Sequence, residues 1–394
     1  MVTPKLPWEL ESEILSRVPP TSVKRLQLTC KRWNTLFKDQ RFINNHMGKA
    51  TTQMVLKKGE SAYSFSLDFH GLHNRYDQFI TITGKLQSLK DSEDVKISKI
   101  FPCEGLLLCT TKDKNLVVWN PCTGQTRWIL SNGYAMNHKY YLGYGNKNKS
   151  CDSLKLLRHS YYYHQRQRVN TFEMYEFNSD SWRAFHDDSV NCGILSRGVS
   201  LKGNTYWLHS DDEDEDDDLV NCILKFDFNT ERFGRLSLPF HNDDNDACVV
   251  LSVVREEKLA LLFQSFATYS PSEMKIWVTN TKADEAKDLL WSLFLVVDYT
   301  KVTEVRTRVI SFLVDEENKR VMCCLGDYGD EDKTLLYVAG EDIHKIVYRE
   351  YISDPEVRDL KYIPSPRLVS YIPSLVRIPL KQSNPDGKRK KMIS

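Results

Sequence analysis

His159 and His164 bracket Ser160, Tyr161, Tyr162 and Tyr163, and imidazoles so close in sequence first raise metal binding or proton transfer. In a strand, side chains alternate between faces, so an i,i+5 pair points to opposite sides and makes no metal pair. The acidic pairs Asp187-Asp188 and Asp243-Asp244 adjoin turn-like sequence and read as solvated loop charge. Ten cysteines stand at positions 30, 103, 109, 122, 151, 192, 222, 248, 323 and 324. None forms a C-x-x-C pair and none has a zinc-finger His pair downstream, so they read as buried free thiols. There is no G-x-G-x-x-G, Walker loop, G-x-S-x-G or H-E-x-x-H. The expectation is a chain without catalytic residues, metal or cofactor, whose work is binding.

Composition narrows what it binds. The 394 residues carry 54 Lys+Arg against 53 Asp+Glu, a net charge of +1, without the basic excess of a nucleic-acid binder. A hydrophobic content of 41% excludes a wholly disordered chain. The longest apolar run, Leu289 to Val297, falls far short of the roughly 18 residues a membrane helix needs. Residues 1–5 lack the apolar stretch of a secretory signal. The expected setting is cytoplasmic and/or nuclear, with neither membrane nor nucleic acid as partner. The eight acids from Asp211 to Asp218 self-repel and read as a loop insertion, with tethering of a basic target segment as the functional alternative. The basic run from Lys388 to Lys391, in a disordered tail at 381–394, is of the kind nuclear import reads. Tyr140, Tyr141, Tyr161, Tyr162 and Tyr163 are candidates for a binding surface beside the more common role of aromatics in a core.

Residues 1–50 read as helices. Pro7 suits a first helical position, and Glu9, Glu11 and Glu13 meet the positive end of the helix dipole. Leu10, Ile14, Leu15 and Val18 form an apolar stripe before Pro19-Pro20 breaks the helix. Thr21 and Ser22 are positioned to cap a second helix with Val23 and Leu26, Thr29 a third with Cys30, Trp33, Leu36 and Phe37, and Asp39 a short fourth turn with Phe42 and Ile43. So small a unit cannot bury all its apolar side chains alone, and no disulfide or metal pattern assists it. The surplus must be covered by the rest of the chain or by another protein. Taken in order, Leu6-Pro7, Leu10, Glu13-Ile14-Leu15, the proline break, Val23, Leu26, Cys30-Lys31-Arg32-Trp33 and Phe42 resemble an F-box over about residues 5–46. The resemblance implies docking on a Skp-type adaptor and, through it, a cullin–RING scaffold. It implies that Leu6, Pro7, Leu10, Ile14, Leu15, Val23 and Leu26 face the adaptor, while Cys30, Trp33 and Phe37 hold the helices together.

From about residue 50 the pattern changes to period-two strands. A strand, an Asn-led turn and a returning strand recur at Asn120, Asn178, Asn229 and Asn280, with a weaker copy over 335–348. Partner hairpins lie between them, one turning at Gly203-Asn204. Four-stranded units at intervals of about 51 residues predict a β-propeller, and residues 50–380 hold six or seven. The fold class expected is α+β: a three-helix head over 1–50, a linker with first strands over 51–94, and an all-β domain over 95–380. Residues 54–84 are expected to complete a blade with C-terminal strands. A β-sandwich or barrel pair is the alternative. The segments Trp119 to Gly124, Gly143 to Gly145, Gly198 to Trp207, and Ile276 to Val278 before Trp291 resemble the plant F-box-associated interaction domain, type 1. That resemblance implies recruitment of an unidentified target protein for ubiquitination. A stand-alone ligand- or glycan-binding propeller with a helical cap is the second reading. A propeller hydrolase with channel carboxylates is the third.

Overall fold

The computed structural model describes residues 6–379 apart from 50–52, 59–60, 68–79, 86–94, 131–137, 147–152, 165–166, 186–192, 195–196, 211–219, 242–246, 266–272, 281–287, 299–306, 327–332, 352–366, and positions 19 and 342. The acidic run at 211–218, the acidic pairs and the basic tail therefore lie outside the described residues.

Four helices lead the chain: α1 (Trp8–Leu15), α2 (Pro20–Leu26), α3 (Lys31–Leu36) and α4 (Gln40–Lys49). The fourth is a full ten-residue helix, longer than the single turn expected. Asp39 starts it, its carboxylate accepting from the N–H of Arg41 at 2.9 Å and Phe42 at 3.1 Å. The second helix begins at Pro20, which puts Thr21 and Ser22 inside it instead of at its cap. Strands follow: β1 (Gln53–Lys58), β2 (Ser61–Leu67), β3 (Ile80–Lys85), β4 (Ile97–Cys103), β5 (Leu106–Thr111), β6 (Leu116–Trp119), β7 (Thr126–Ile129), β8 (Lys139–Tyr144), β9 (Leu154–His164), β10 (Gln167–Glu176), β11 (Ser181–Phe185) and β12 (Val199–Leu201). Then come β13 (Asn204–His209), β14 (Cys222–Asp227), β15 (Arg232–Leu236), β16 (Cys248–Val254), β17 (Lys258–Gln264), β18 (Glu273–Thr279), β19 (Trp291–Asp298), β20 (Arg308–Asp315), β21 (Arg320–Gly326), β22 (Lys333–Gly340), β23 (His344–Tyr351) and β24 (Arg367–Tyr371).

Every strand pair is antiparallel, and the sheets have four strands each. Five are built from consecutive strands, β4 to β7, β8 to β11, β12 to β15, β16 to β19 and β20 to β23. These five carry the recurrent turns read at Asn120, Asn178, Asn229, Asn280 and over 335–348. A further sheet has the order β24-β1-β2-β3 and so joins the two ends of the β domain. Division of length by repeat, giving six or seven units, is thus replaced by five contiguous sheets and one composite sheet. Within 51–94 the first strands β1 to β3 belong to the composite sheet, where β1 pairs with the C-terminal strand β24. The first strands of the sheets touch in a closed ring, β4 to β8, β12, β16, β20, β24 and back to β4. The radial arrangement leaves only the outermost strand of each sheet as an edge, and β24 latches the chain ends together.

The expected hairpin turn sits one residue earlier than Gly203-Asn204. Leu201 pairs with Asn204, and Lys202 (φ 51°) with Gly203 (φ 77°) forms the turn, the two positive φ values of a type I′ hairpin. Gly143 has a different reason to be glycine. A Cβ there would stand 2.2 Å from Phe228 Cδ2 and 2.5 Å from the Gly203 carbonyl oxygen. That carbonyl accepts from the Tyr144 N–H at 3.0 Å, bonding neighbouring sheets together. Gly143→Ala is expected to destabilise the fold by about 2–3 kcal/mol through overpacking. A urea midpoint unchanged from the parent chain would refute this reading of the close approach.

The core is continuous from head to propeller. Leu15, Val23, Leu36, Phe37, Phe42 and Ile43 share one apolar cluster with Phe101, Leu106, Tyr141, Trp207, Phe226 and the C-terminal Leu375, Val376 and Ile378. Each fully buried side chain of this size contributes about 1.5–3 kcal/mol. The helical head is therefore seated on the β domain and not free of it.

Candidate docking site

The site is built on α1. Pro7 caps it with extended backbone (φ −53°, ψ 145°), and its carbonyl accepts from the Glu11 N–H at 3.0 Å. Leu6 precedes the N-cap of α1, and Leu10 and Ile14 lie at i and i+4 on one of its faces. They are 54%, 53% and 55% exposed, and Pro7 beside them is exposed too. A row of branched aliphatics left in water on a helix whose other side is buried is an incomplete interface.

Leu15 and Val23, expected on that face, are buried in the chain's own core. Leu15 follows Ile14 by one residue, a rotation of about 100° that carries it from the outer to the inner face. Val23 faces the same interior from α2. Leu26 is half-buried, packed against the core cluster. Leu28, one turn end further on, is 87% exposed and was not singled out in the sequence, because it falls past the last full helical turn.

The helices are braced by residues of mixed outcome. Phe37 is buried and meets Phe42 edge to face at 5.3 Å. Trp33 is half-buried and its indole N–H donates to the Glu11 carboxylate. Cys30, expected in the helical core, is exposed instead: it is the N-cap of α3, its Sγ accepting from the Trp33 N–H at 3.5 Å. Thr29, expected in that cap, donates its hydroxyl back to the Leu26 carbonyl at 2.7 Å. Glu11 is the strut that sequence reading missed. It also pairs with Arg32 at 2.5 Å, and Arg32 lies 5.7 Å from the Trp8 ring centroid. His46 is buried and bonds the Val18 carbonyl at 2.9 Å; burial pushes its imidazole below the ordinary value, against the opposing pull of that bond.

The thiols divide by environment. Burial pushes Cys109 and Cys324 up to about 12, and Cys248 up to about 11. Only thiolate is nucleophilic, so these are inert near neutral pH. With iodoacetamide on the native chain, Cys30 is expected to be alkylated first, with Cys109, Cys323 and Cys324 protected until unfolding. Peptide mass mapping that finds a buried thiol modified before Cys30 would contradict this.

The other candidates are not brought together. His159 is buried, stacked on Phe172 at 5.0 Å and bonded to Asn170 at 2.9 Å, while His164 is exposed. Among the described residues no group of three or more His, Cys, Asp or Glu side chains is placed to hold a metal. Tyr141, a surface candidate, is instead core: it meets Trp207 at 4.8 Å and Phe101 at 5.5 Å, both edge to face. Tyr140 and Tyr161 are half-buried, and Tyr162 is 54% exposed. The side chain of Tyr163 lies outside the described residues.

A helical docking head seated on an all-β propeller defines the class. Residues 4–45 match the F-box domain, and residues 53–378 match the F-box associated beta propeller domain. The chain belongs to the F-box proteins that carry this propeller. An Arabidopsis thaliana F-box/kelch-repeat protein is 51% identical, covering 98% of this chain and 99% of its own length. Two more from that plant are 46% identical (99% and 96% covered) and 44% identical (96% of each). An oligogalacturonate lyase in complex with manganese aligns at 9% identity with a TM-score of 0.40, covering 73% of this chain and 70% of that one.

Proposed function

We propose that this chain is the substrate-recognition subunit of a Skp–cullin–F-box ubiquitin ligase, working in the cytoplasm and/or nucleus. The observation that carries the reading is the exposed pair Leu10 and Ile14 on α1, with exposed Leu6 and Pro7 just before it, on a helix whose other face is sealed by Leu15. The row supplies a Skp-type adaptor with apolar surface to cover. The propeller presents a target protein. The chain then performs no covalent step: holding target and ubiquitin-loaded partner together raises the effective concentration of the target's lysines.

The experiment is co-purification of adaptor and cullin with the full chain, compared with a chain whose outer row is charged. Deleting residues 1–50 would be a poor control. It would remove Leu36, Phe37, Phe42 and Ile43 from the shared core and unfold more than the docking surface. Retention of the adaptor by the charged-row variant overturns the proposal and leaves a propeller with a helical cap.

A further inference from the structure

Outside the helical head, three exposed aliphatics gather at one strand. Leu290 is 61% exposed, Leu293 54% and Val296 45%, just before and within β19. β19 is the outermost strand of its sheet, and among the described residues no strand pairs with its outer edge. Such an edge offers main-chain N–H and C=O groups to any strand that reaches it, and proteins guard against this with short or charged edge strands. The other sheets follow that rule. β7 has four residues, β11 has five with Arg183, and β15 has five with Arg232 and Arg235. β3 ends on Lys85, and β23 carries Lys345, Arg349 and Glu350. β19 has eight residues, Trp-Ser-Leu-Phe-Leu-Val-Val-Asp, and no charge before its last position.

A bulge gives β19 its apolar outer side. Leu293 pairs with Trp277 and Leu295 with Ile276, so Phe294 is an extra residue inserted in β19. Residues directly opposite share a face of the sheet, which puts Leu293 on the face of Trp277 and Val296 on that of Lys275. Trp277 and Lys275 stand two apart on β18, so that face is one and the same. Leu293 and Val296 are therefore neighbours on one side, although three residues apart. Leu295 and Val297 point to the other side and are buried in the core shared with β20, β21 and β22.

The strand is its own complement. Laid antiparallel to a second copy of itself, about a two-fold axis between Phe294 and Leu295, β19 sets Leu293 opposite Val296 and Val296 opposite Leu293. Ser292 meets Val297 on the other face in the same register, since they pair with Val278 and Met274 on one side of β18. A slip of one residue would oppose side chains from different faces. The two Asp298 carboxylates fall at opposite ends of the pair, about 23 Å apart along the strands, so no like charges meet.

We infer that the edge of β19 is an interface between two copies of this chain, formed by antiparallel pairing of β19 with itself. An extended segment of another protein would reach the same main-chain groups. The two-fold match of Leu293 with Val296, and a register that opposes no charges, favour the second copy. Eight residues at about 3.3 Å each give a contact about 26 Å long and one strand wide. That is less than the roughly 800 Å² per partner of a standard interface, so the pair is reversible, with a dissociation constant of micromolar order. In the ring of first strands β16 is third from β4 in either direction. β19 thus lies across the ring from the sheet whose Arg127 fastens the C-terminal segment that packs with the head. Two copies joined at β19 keep both docking rows open and present two target faces together, which favours targets with two contact points. The interface does not depend on the adaptor reading, and its failure would leave adaptor capture untouched.

The test is sedimentation velocity of the full chain over about 1 to 100 µM, a range that brackets a micromolar equilibrium. The parent chain is expected to pass from monomer to dimer and no further, because a strand edge once paired is used up. Leu293→Lys combined with Val296→Lys sets four ammonium groups across the axis and is expected to weaken self-association at least about a hundredfold. That variant is expected to unfold at the parent's temperature, since both side chains are exposed. Leu293→Asp in one chain and Val296→Lys in another test the register. Each is expected to be monomeric alone and to pair when the two are mixed, because the register opposes those two positions. A parent chain that stays monomeric at the top of the range overturns the proposal and leaves the edge to a foreign strand. A double lysine variant that dimerises as the parent does overturns it as well. So does a mixture of the two single variants that stays monomeric beside a dimeric parent.

Discussion

Leu10→Asp combined with Ile14→Asp is expected to reduce adaptor capture by at least about a hundredfold while leaving the chain folded. The two side chains are 53% and 55% exposed, so neither is part of the chain's own core. Surface substitutions of this kind usually change stability by no more than about 0.5 kcal/mol. Against a partner the account reverses. Each aliphatic covered by the adaptor contributes about 1.5–3 kcal/mol, and that gain disappears. Two carboxylates would also have to be buried without partners, which adds to the loss. A hundredfold weakening needs only about 2.7 kcal/mol, so the estimate leaves a margin. The informative control is Leu15→Asp, one residue further along. Leu15 is buried, so that change is expected to unfold the head, and loss of binding there says nothing about the interface. Pull-down with purified adaptor, read beside the thermal unfolding of each variant, separates the two cases. Full capture by the Leu10, Ile14 variant would show that the exposed row is not the docking face.

Much of this arrangement was legible in residue order, and what was missed follows a pattern. Strand alternation and Asn-led turns located the four-stranded units because a period of two is a local property of the chain. The composite sheet was harder, since β24 pairs with β1 across more than three hundred residues and no local signal records such a pairing. On α1, apolar type marked Leu10, Ile14 and Leu15 alike but could not divide outer face from inner. Ile14 and Leu15 are alike in chemistry, and only the rotation between them decides which meets solvent. Cys30 reads as a small hydrophobe in sequence, yet a thiol can also accept a hydrogen bond, and at the start of α3 that property placed it. The cavity shared by Arg197, Arg308 and Arg367 was invisible because they are far apart in sequence and meet only when the ring closes.

Asn120 shows how one residue read locally acts over the whole chain, and its removal carries a large expected effect. The sequence marks it as a turn former, and it is one: its side-chain oxygen accepts from the N–H of Cys122 at 2.9 Å and of Thr123 at 3.2 Å. Its amide nitrogen then donates to the carbonyls of Ser374 at 2.9 Å and Val376 at 2.7 Å. The side chain is fully buried, so water cannot replace any of the four bonds. Nearby, Gln125 accepts from the Ile378 N–H at 3.2 Å, and Arg127 donates to the Pro379 carbonyl at 2.6 Å. The segment 374–379 is thus fastened to the turn after β6, and its Leu375, Val376 and Ile378 share the core with the helical head. Asn120→Ala strands two buried carbonyls and two N–H groups, and is expected to cost about 4 kcal/mol. Asn120→Asp is the sharper test, because shape is kept while the donor is lost. The carboxylate would still accept from Cys122 and Thr123, but would face two carbonyl oxygens with negative charge. It is therefore expected to destabilise at least as much as alanine, and to speed proteolytic clipping of the chain after residue 371 before the rest of the propeller is cut. If Asn120→Asp unfolds at the parent's urea midpoint, the clasp does not hold the C-terminal segment, and the head must be anchored by its apolar contacts alone.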